Sequence, residues 1–151
     1  MILTLNLILK GSLKKIKNVV IFLYIITIPF SNIHSMNNPF YKSYNTQFEI
    51  PPFSEIEEKH YMPAFLKGMD EHNSEINEII QNPEKPTFDN VIIAMERSGD
   101  ILDRVSSVFF NLSGSATNIK LQEIEKEISP ILSEHYDSIS LNPGIFKKIK
   151  L

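Results

Sequence analysis

The sequence predicts a mostly α fold, an antiparallel helical hairpin or bundle entered through an extended, proline-rich arm. Three observations carry that expectation. Apolar residues recur at spacings of three and four along three separate stretches. Proline and asparagine mark the ends of those stretches. The composition, 42% hydrophobic and 22% charged over 151 residues, suits one ordinary globular unit rather than a disordered tail.

Residues 1–35 form the first unit. Lys14, Lys15 and Lys17 precede an uncharged run from Val19 to Ile28, and Pro29 follows. A basic flank leading into roughly 7–15 apolar residues is the layout of a secretory signal peptide. The run is shorter than the roughly 20 apolar residues that a spanning helix needs. Ile33 and Ser35 would stand where small residues are preferred before cleavage, a poor fit at the first of them. The alternatives are an upstream extension, with the product starting at Met36, and an uncleaved anchor. Periplasmic or secreted placement follows from the first reading, and cytoplasmic placement from a start at Met36. Membrane contact is expected only through an uncleaved segment.

Residues 36–56 read as the arm. Pro39, Pro51 and Pro52 remove backbone donors and push their predecessors away from helical angles. Residues 57–151 then read as the helical region. A first helix starts near Pro63, which is tolerated in an opening turn. Phe65, Met69, His72, Ile76 and Ile79 form its apolar stripe, and Asn82-Pro83 stops it. Thr87 caps the second helix, with Asp89 in the first turn at the positive end of the helix dipole. Asn90 stands where a capping box prefers Glu or Gln, so that signal is partial. Val91, Ile92, Met95, Leu102, Val105, Phe109 and Leu112 keep helical spacing across Ser98-Gly99. The expectation is one long helix with a bend or a close approach at Gly99, ending at Ser113-Gly114-Ser115.

Thr117 or Asn118 caps the third helix, whose stripe is Leu121, Ile124, Ile128, Ile131, His135 and Ile139. Pro130 should kink it by deleting one backbone hydrogen bond. Asn142-Pro143 opens a fourth helix, and the chain's last residues fall in its first turns, which reads as a truncated sequence.

The charge pattern excludes one partner class. Four of the 15 lysines and arginines lie in residues 1–35 with no acid beside them, so the rest of the chain, which holds all 18 carboxylates, is acidic. Phosphate contacts need clustered cations, so no nucleic-acid partner is expected. With no cysteine, disulfides, thiolate metal sites and cysteine nucleophiles are all excluded.

No catalytic, cofactor-binding or metal-ligating residue is assigned. The four histidines are His34, His60, His72 and His135, and none belongs to a His-Glu-x-x-His zinc motif. Glu57-x-x-His60 has the spacing of half a di-iron carboxylate site, without the partner motif such a site needs. His72 and His135 sit on apolar stripes and read as core or helix-contact residues. There is no glycine-rich phosphate loop and no Gly-x-Ser-x-Gly elbow. Arg97 and Arg104 stand near Asp89 and Asp103, where exposed pairing would contribute little.

Several blocks together carry a resemblance. These are Asn38-Pro39-Phe40, Pro51-Pro52-Phe53-Ser54-Glu55-Ile56, His60-Tyr61-Met62-Pro63-Ala64-Phe65 and, most specific, Pro86-Thr87-Phe88-Asp89-Asn90. Met95-Glu96-Arg97-Ser98-Gly99, Leu102-Asp103-Arg104-Val105, Phe109-Phe110-Asn111-Leu112 and Leu141-Asn142-Pro143 extend them. The chain from about residue 37 resembles the opening of bacterial peptidyl-dipeptidases, zinc metallopeptidases related to thimet oligopeptidase and oligopeptidase A. Val91 departs from the threonine that the family suggests.

The resemblance implies the N-terminal helical part of a larger all-α zinc peptidase that encloses a channel and hydrolyses short peptides. In that family the zinc site lies far toward the C-terminus, and none of its positions maps onto this chain. The implied role is scaffold and access control, with the rest of the peptidase chain as partner and zinc as the full-length family's cofactor. The chain alone is expected to be inactive. The alternative is a stand-alone, non-catalytic helical binding module, free or tethered to a membrane. Thr87, Phe88, Asp89 and Asn90 read as a cap plus a buried aromatic, serving architecture rather than binding.

Overall fold

A computed structural model describes residues 37–150, so the basic and apolar segment 1–35 lies outside the described residues. Within them the chain is helical, with no strand. Helix α1 (Tyr61–Gln81) is followed by a π-helical segment (Phe88–Ile93) that runs into the short α2 (Ala94–Glu96). Helices α3 (Asp100–Ser115), α4 (Ile119–Ser140) and α5 (Pro143–Ile149) complete the order. None of these helices is long and apolar enough to cross a membrane.

The arm is not featureless. Asn38 caps a single 3-10 turn (Pro39–Tyr41), its Oδ1 accepting from Phe40 N at 3.1 Å. Its Nδ2 donates to the His60 carbonyl at 2.8 Å, which ties the arm to the start of α1. Phe40 is thereby fully buried. A second 3-10 turn (Gln47–Glu49) and a third (Glu58–His60) lead into α1.

Two apolar clusters hold the helices, and α1 feeds both. The larger gathers Phe40, Tyr61, Phe65 and Met69 with Leu102, Val105 and Phe109 from α3 and Leu121, Ile128 and Leu132 from α4. Its aromatic rings meet edge to face, with Phe65 and Phe109 centroids 5.3 Å apart and Tyr61 and Phe109 5.1 Å apart, a geometry that rings prefer because their faces are negative and their edges positive. The smaller cluster gathers Ile76 and Ile79 with Val91, Ile139 and Ile145. Helices α1 and α4 therefore both run from the larger cluster to the smaller. Helix α3 runs the other way, since Leu102 near its start meets Gly68 while Phe109 farther along meets Phe65 and Tyr61.

Three expectations are corrected. The stretch from Thr87 to Ser115 is not one long helix, because Arg97-Ser98-Gly99 breaks it and Gly99 takes a left-handed φ of 82°. Glycine alone adopts that conformation without steric cost. Phe88 is 63% exposed rather than buried. On α4, Ile131 faces outward and Leu132 takes the buried place; Pro130 lies inside the helix, as expected. Asn118, not Thr117, caps α4, its Oδ1 accepting from Leu121 N at 2.9 Å.

Candidate functional site

Between the two apolar clusters lies a polar seam. Along α1 the order is Phe65 and Met69 in the larger cluster, His72 and Glu75 in the seam, then Ile76 and Ile79 in the smaller one. Along α4 it is Leu132, then His135, then Ile139. The seam is thus a consequence of helical spacing: His72 and His135 each occupy a stripe position where an aliphatic residue would have joined the clusters into one core.

The two imidazoles meet. His72 Nδ1 lies 3.0 Å from His135 Nε2, and the ring centroids are 5.1 Å apart. Tyr136 stands edge to face with both rings, its centroid 6.5 Å from His72 and 5.4 Å from His135. His135 is buried, with 6% exposure. Burial lowers both imidazoles below their ordinary pKa; Glu75 and Asp103 oppose the shift at His72, whereas His72 adds to it at His135. Burial also raises the Asp103 carboxyl, against the pull of His72, and raises the Tyr136 phenol, with Asp103 adding to the effect.

Glu75 joins the seam to the helix break. Its Oε2 accepts from Gly99 N at 2.7 Å, supplying an acceptor from α1 to a donor at the start of α3. A Cβ at Gly99 would lie 3.2 Å from the His72 ring, so the break rests directly on the imidazole.

On the outer side of this joint is a half-open cleft of about 400 Å³. The arm contributes Tyr41, Lys42 and Ser43; α1 contributes Glu71 and Glu75; and the break and α3 contribute Gly99, Asp100 and Arg104. Three of its five charged side chains, Glu71, Asp100 and Arg104, sit in ion pairs. Lys67 pairs with Glu71, and Arg104 pairs with Asp100 one turn earlier on α3. Arg104 also lies over the Tyr44 ring at 5.8 Å. Neither Asp89 nor Asp103 is its ion-pair partner.

Glu57 and His60, whose spacing matches half a di-iron motif, bond to each other. Glu57 N donates to His60 Nδ1 at 3.0 Å, so this pair closes the turn before α1. Thr87 and Asn90 form a reciprocal box, Thr87 N donating to Asn90 Oδ1 at 2.8 Å and Asn90 N to Thr87 Oγ1 at 3.1 Å. Asparagine thus does what the sequence pattern reserves for Glu or Gln. Zinc does not fit the seam. His72 and His135 turn ring nitrogens toward each other, and the described residues gather no group of three or more His, Cys, Asp or Glu side chains that could hold a metal ion. The seam can share a proton between the two imidazoles.

Sequence reading placed both histidines on helix contacts but did not pair them. They are 63 residues apart and meet only where α1 packs against α4.

No family model matches the chain. Over 112 residues, 74% of its length, it is 39% identical to dipeptidyl carboxypeptidase of Escherichia coli (strain K12), covering 16% of that protein. It is 35% identical over the same length to dipeptidyl carboxypeptidase of Salmonella typhimurium, again covering 16%. Oligopeptidase A of Escherichia coli is 27% identical over 102 residues, 68% of the chain and 15% of the relative. The chain thus spans about a sixth of the length of the curated relatives it matches. With helices throughout its described residues and this relatedness, the chain belongs to the peptidase family of dipeptidyl carboxypeptidase and oligopeptidase A.

Proposed function

We propose that this chain supplies a helical wall segment of a peptidyl-dipeptidase that hydrolyses short peptides, acting as scaffold and access control rather than as the bond-breaking centre. The observation that carries the reading is the 39% identity over 112 residues to a dipeptidyl carboxypeptidase. The role within such an enzyme rests on what the chain offers: packed helices around an aromatic core and no His-Glu-x-x-His motif. Zinc chemistry in this reading belongs to residues other than these 151, where the metal would polarise the scissile carbonyl and activate water.

The test is a chimera. Residues 37–150 replace the matching segment of the Escherichia coli dipeptidyl carboxypeptidase, and release of dipeptides from a short blocked peptide is measured. Retained zinc-dependent release supports the reading. A chimera that folds, binds zinc and releases nothing counts against it, as does peptide hydrolysis by the isolated chain with added zinc.

Residues 1–35 belong to the same proposal as an export signal, resting on their basic flank and apolar run. Fused ahead of a phosphatase that is active only outside the cytoplasm, they should confer activity. Inactive fusions made at full level would leave Met36 as the start and the cytoplasm as the compartment.

A further inference from the structure

The His72–His135 contact is built so that it tolerates one proton but not two. A hydrogen bond between imidazoles needs one ring nitrogen to accept, so at least one ring must be neutral. At 3.0 Å, two imidazolium rings would bring two N–H groups and two like charges face to face in a half-buried seam. We propose that this pair is an acid-sensitive latch, holding α4 on α1 at neutral pH and releasing the C-terminal half of α4 when both rings are protonated.

The surroundings decide how the latch answers to protons. From α1, Glu75 faces His72 while accepting from Gly99 N. From α3, Asp103 faces His72, with Asp100 beside Asp103 on α3 and Glu96 at the end of α2 acting on Asp103 in turn. From α4, Tyr136 packs against both rings and remains neutral across this range, its phenol raised by burial. The two carboxylates favour a first proton on His72, which the pair can share. The second proton has no acceptor. The Asp103 carboxyl is itself raised by burial, against the pull of His72.

Release is local because the seam separates two cores. Beyond His135, α4 contributes Ile139 to the smaller cluster, whereas Leu121, Ile128 and Leu132 are held in the larger one. The His72 ring also supports Gly99, so opening would loosen the helix break and the cleft that Glu75 and Gly99 line.

The sign follows from linkage. Both folded-state imidazoles are lowered, so the opened state takes up protons more readily than the closed one. Closure is fully favoured above the ordinary histidine value of about 6.5 and weakens as the pH falls from there through the folded-state values. Each ring can add at most about tenfold to opening per pH unit in that window.

The experiment is amide hydrogen exchange on the full chain at pH 7.5 and 5.5, corrected for the intrinsic rate. Protection over 133–139 should fall by up to about tenfold, the linkage of one proton over the unit below about 6.5, while amides of 102–109 in the aromatic core change far less. The double variant His72→Asn, His135→Gln keeps one donor and one acceptor across the contact, an amide nitrogen facing an amide oxygen, and cannot titrate, so its protection should be nearly the same at both pH values. Unchanged protection in the wild type, or an equal loss in the double variant, overturns the latch. Should the double variant fail to fold, NMR titration of the wild-type imidazoles decides: coupled midpoints below the ordinary value support it, and independent midpoints at that value overturn it.

Discussion

A methyl group added at Gly68 would lie 2.8 Å from the backbone nitrogen of Leu102 and 2.9 Å from its Cα. Backbone cannot step aside as a flexible side chain can, so α1 and α3 would have to separate. On an exposed helix face Gly→Ala gains about 1 kcal/mol of helix propensity. At Gly68 the expected outcome is the reverse, a loss of about 1–3 kcal/mol from overpacking, read as a lower urea midpoint with an unchanged slope. Gly99→Ala should also destabilise, by roughly 1–2 kcal/mol for the left-handed backbone alone, before the contact with the His72 ring is counted. Residue by residue, the sequence was most legible where chemistry is local. Thr87, Asn118 and Asn142 cap as their types suggest. It was least legible where a partner comes from elsewhere in the chain, as with Glu75 on Gly99 and His135 on His72.

Element boundaries were legible wherever a proline or a cap stands. Helix α1 ends at Gln81, just before Asn82-Pro83, and α5 begins at Pro143 with Asn142 accepting from Gly144 N at 2.8 Å. Gly99 announced a bend or a close approach, and it does lie against the His72 ring, but the full end of the helix there was not legible, because Met95, Leu102 and Val105 stay in helical register across it. Periodicity measures which face is apolar, and a short left-handed interruption can preserve the face while ending the helix. Phe88, read beside the cap as a buried aromatic, stands at the first position of the π-helical segment and is exposed. Within α4, Pro130 is exposed and deprives the helix of one backbone bond. Pro130→Ala should therefore raise stability, by up to about 3 kcal/mol, seen as a higher thermal midpoint. Asn118→Ala should lower it by about 1 kcal/mol through loss of the cap.

At the scale of the whole molecule, the fold class was legible and the division of the core was not. Stripe residues announce that helices pack, but only topology shows that His72 and His135 part the apolar side chains into two clusters. The surface carries Phe48, Phe53, Phe88, Ile119, Leu141 and Phe146 at more than half exposure. Apolar side chains in that number favour association when nothing covers them. The isolated chain is therefore expected to self-associate, with an apparent mass in analytical ultracentrifugation that rises with concentration. A single monomeric species at all concentrations would contradict this. Truncating Phe109, fully buried among the aromatic rings, should cost about 3–5 kcal/mol and unfold the larger cluster as a unit.

Helix α1 has 21 residues and touches one cluster near its start and the other near its end. At 1.5 Å per residue it is a rod of about 31 Å. A rod gripped at both ends behaves mechanically as a lever. A tilt of only about 5° at the aromatic end would sweep the isoleucine end through nearly 3 Å, by the same arithmetic of about 31 Å of length. Displacements too small to register around Phe65 would thus arrive at Ile79, Val91 and Ile145 as shifts comparable to the width of an atom.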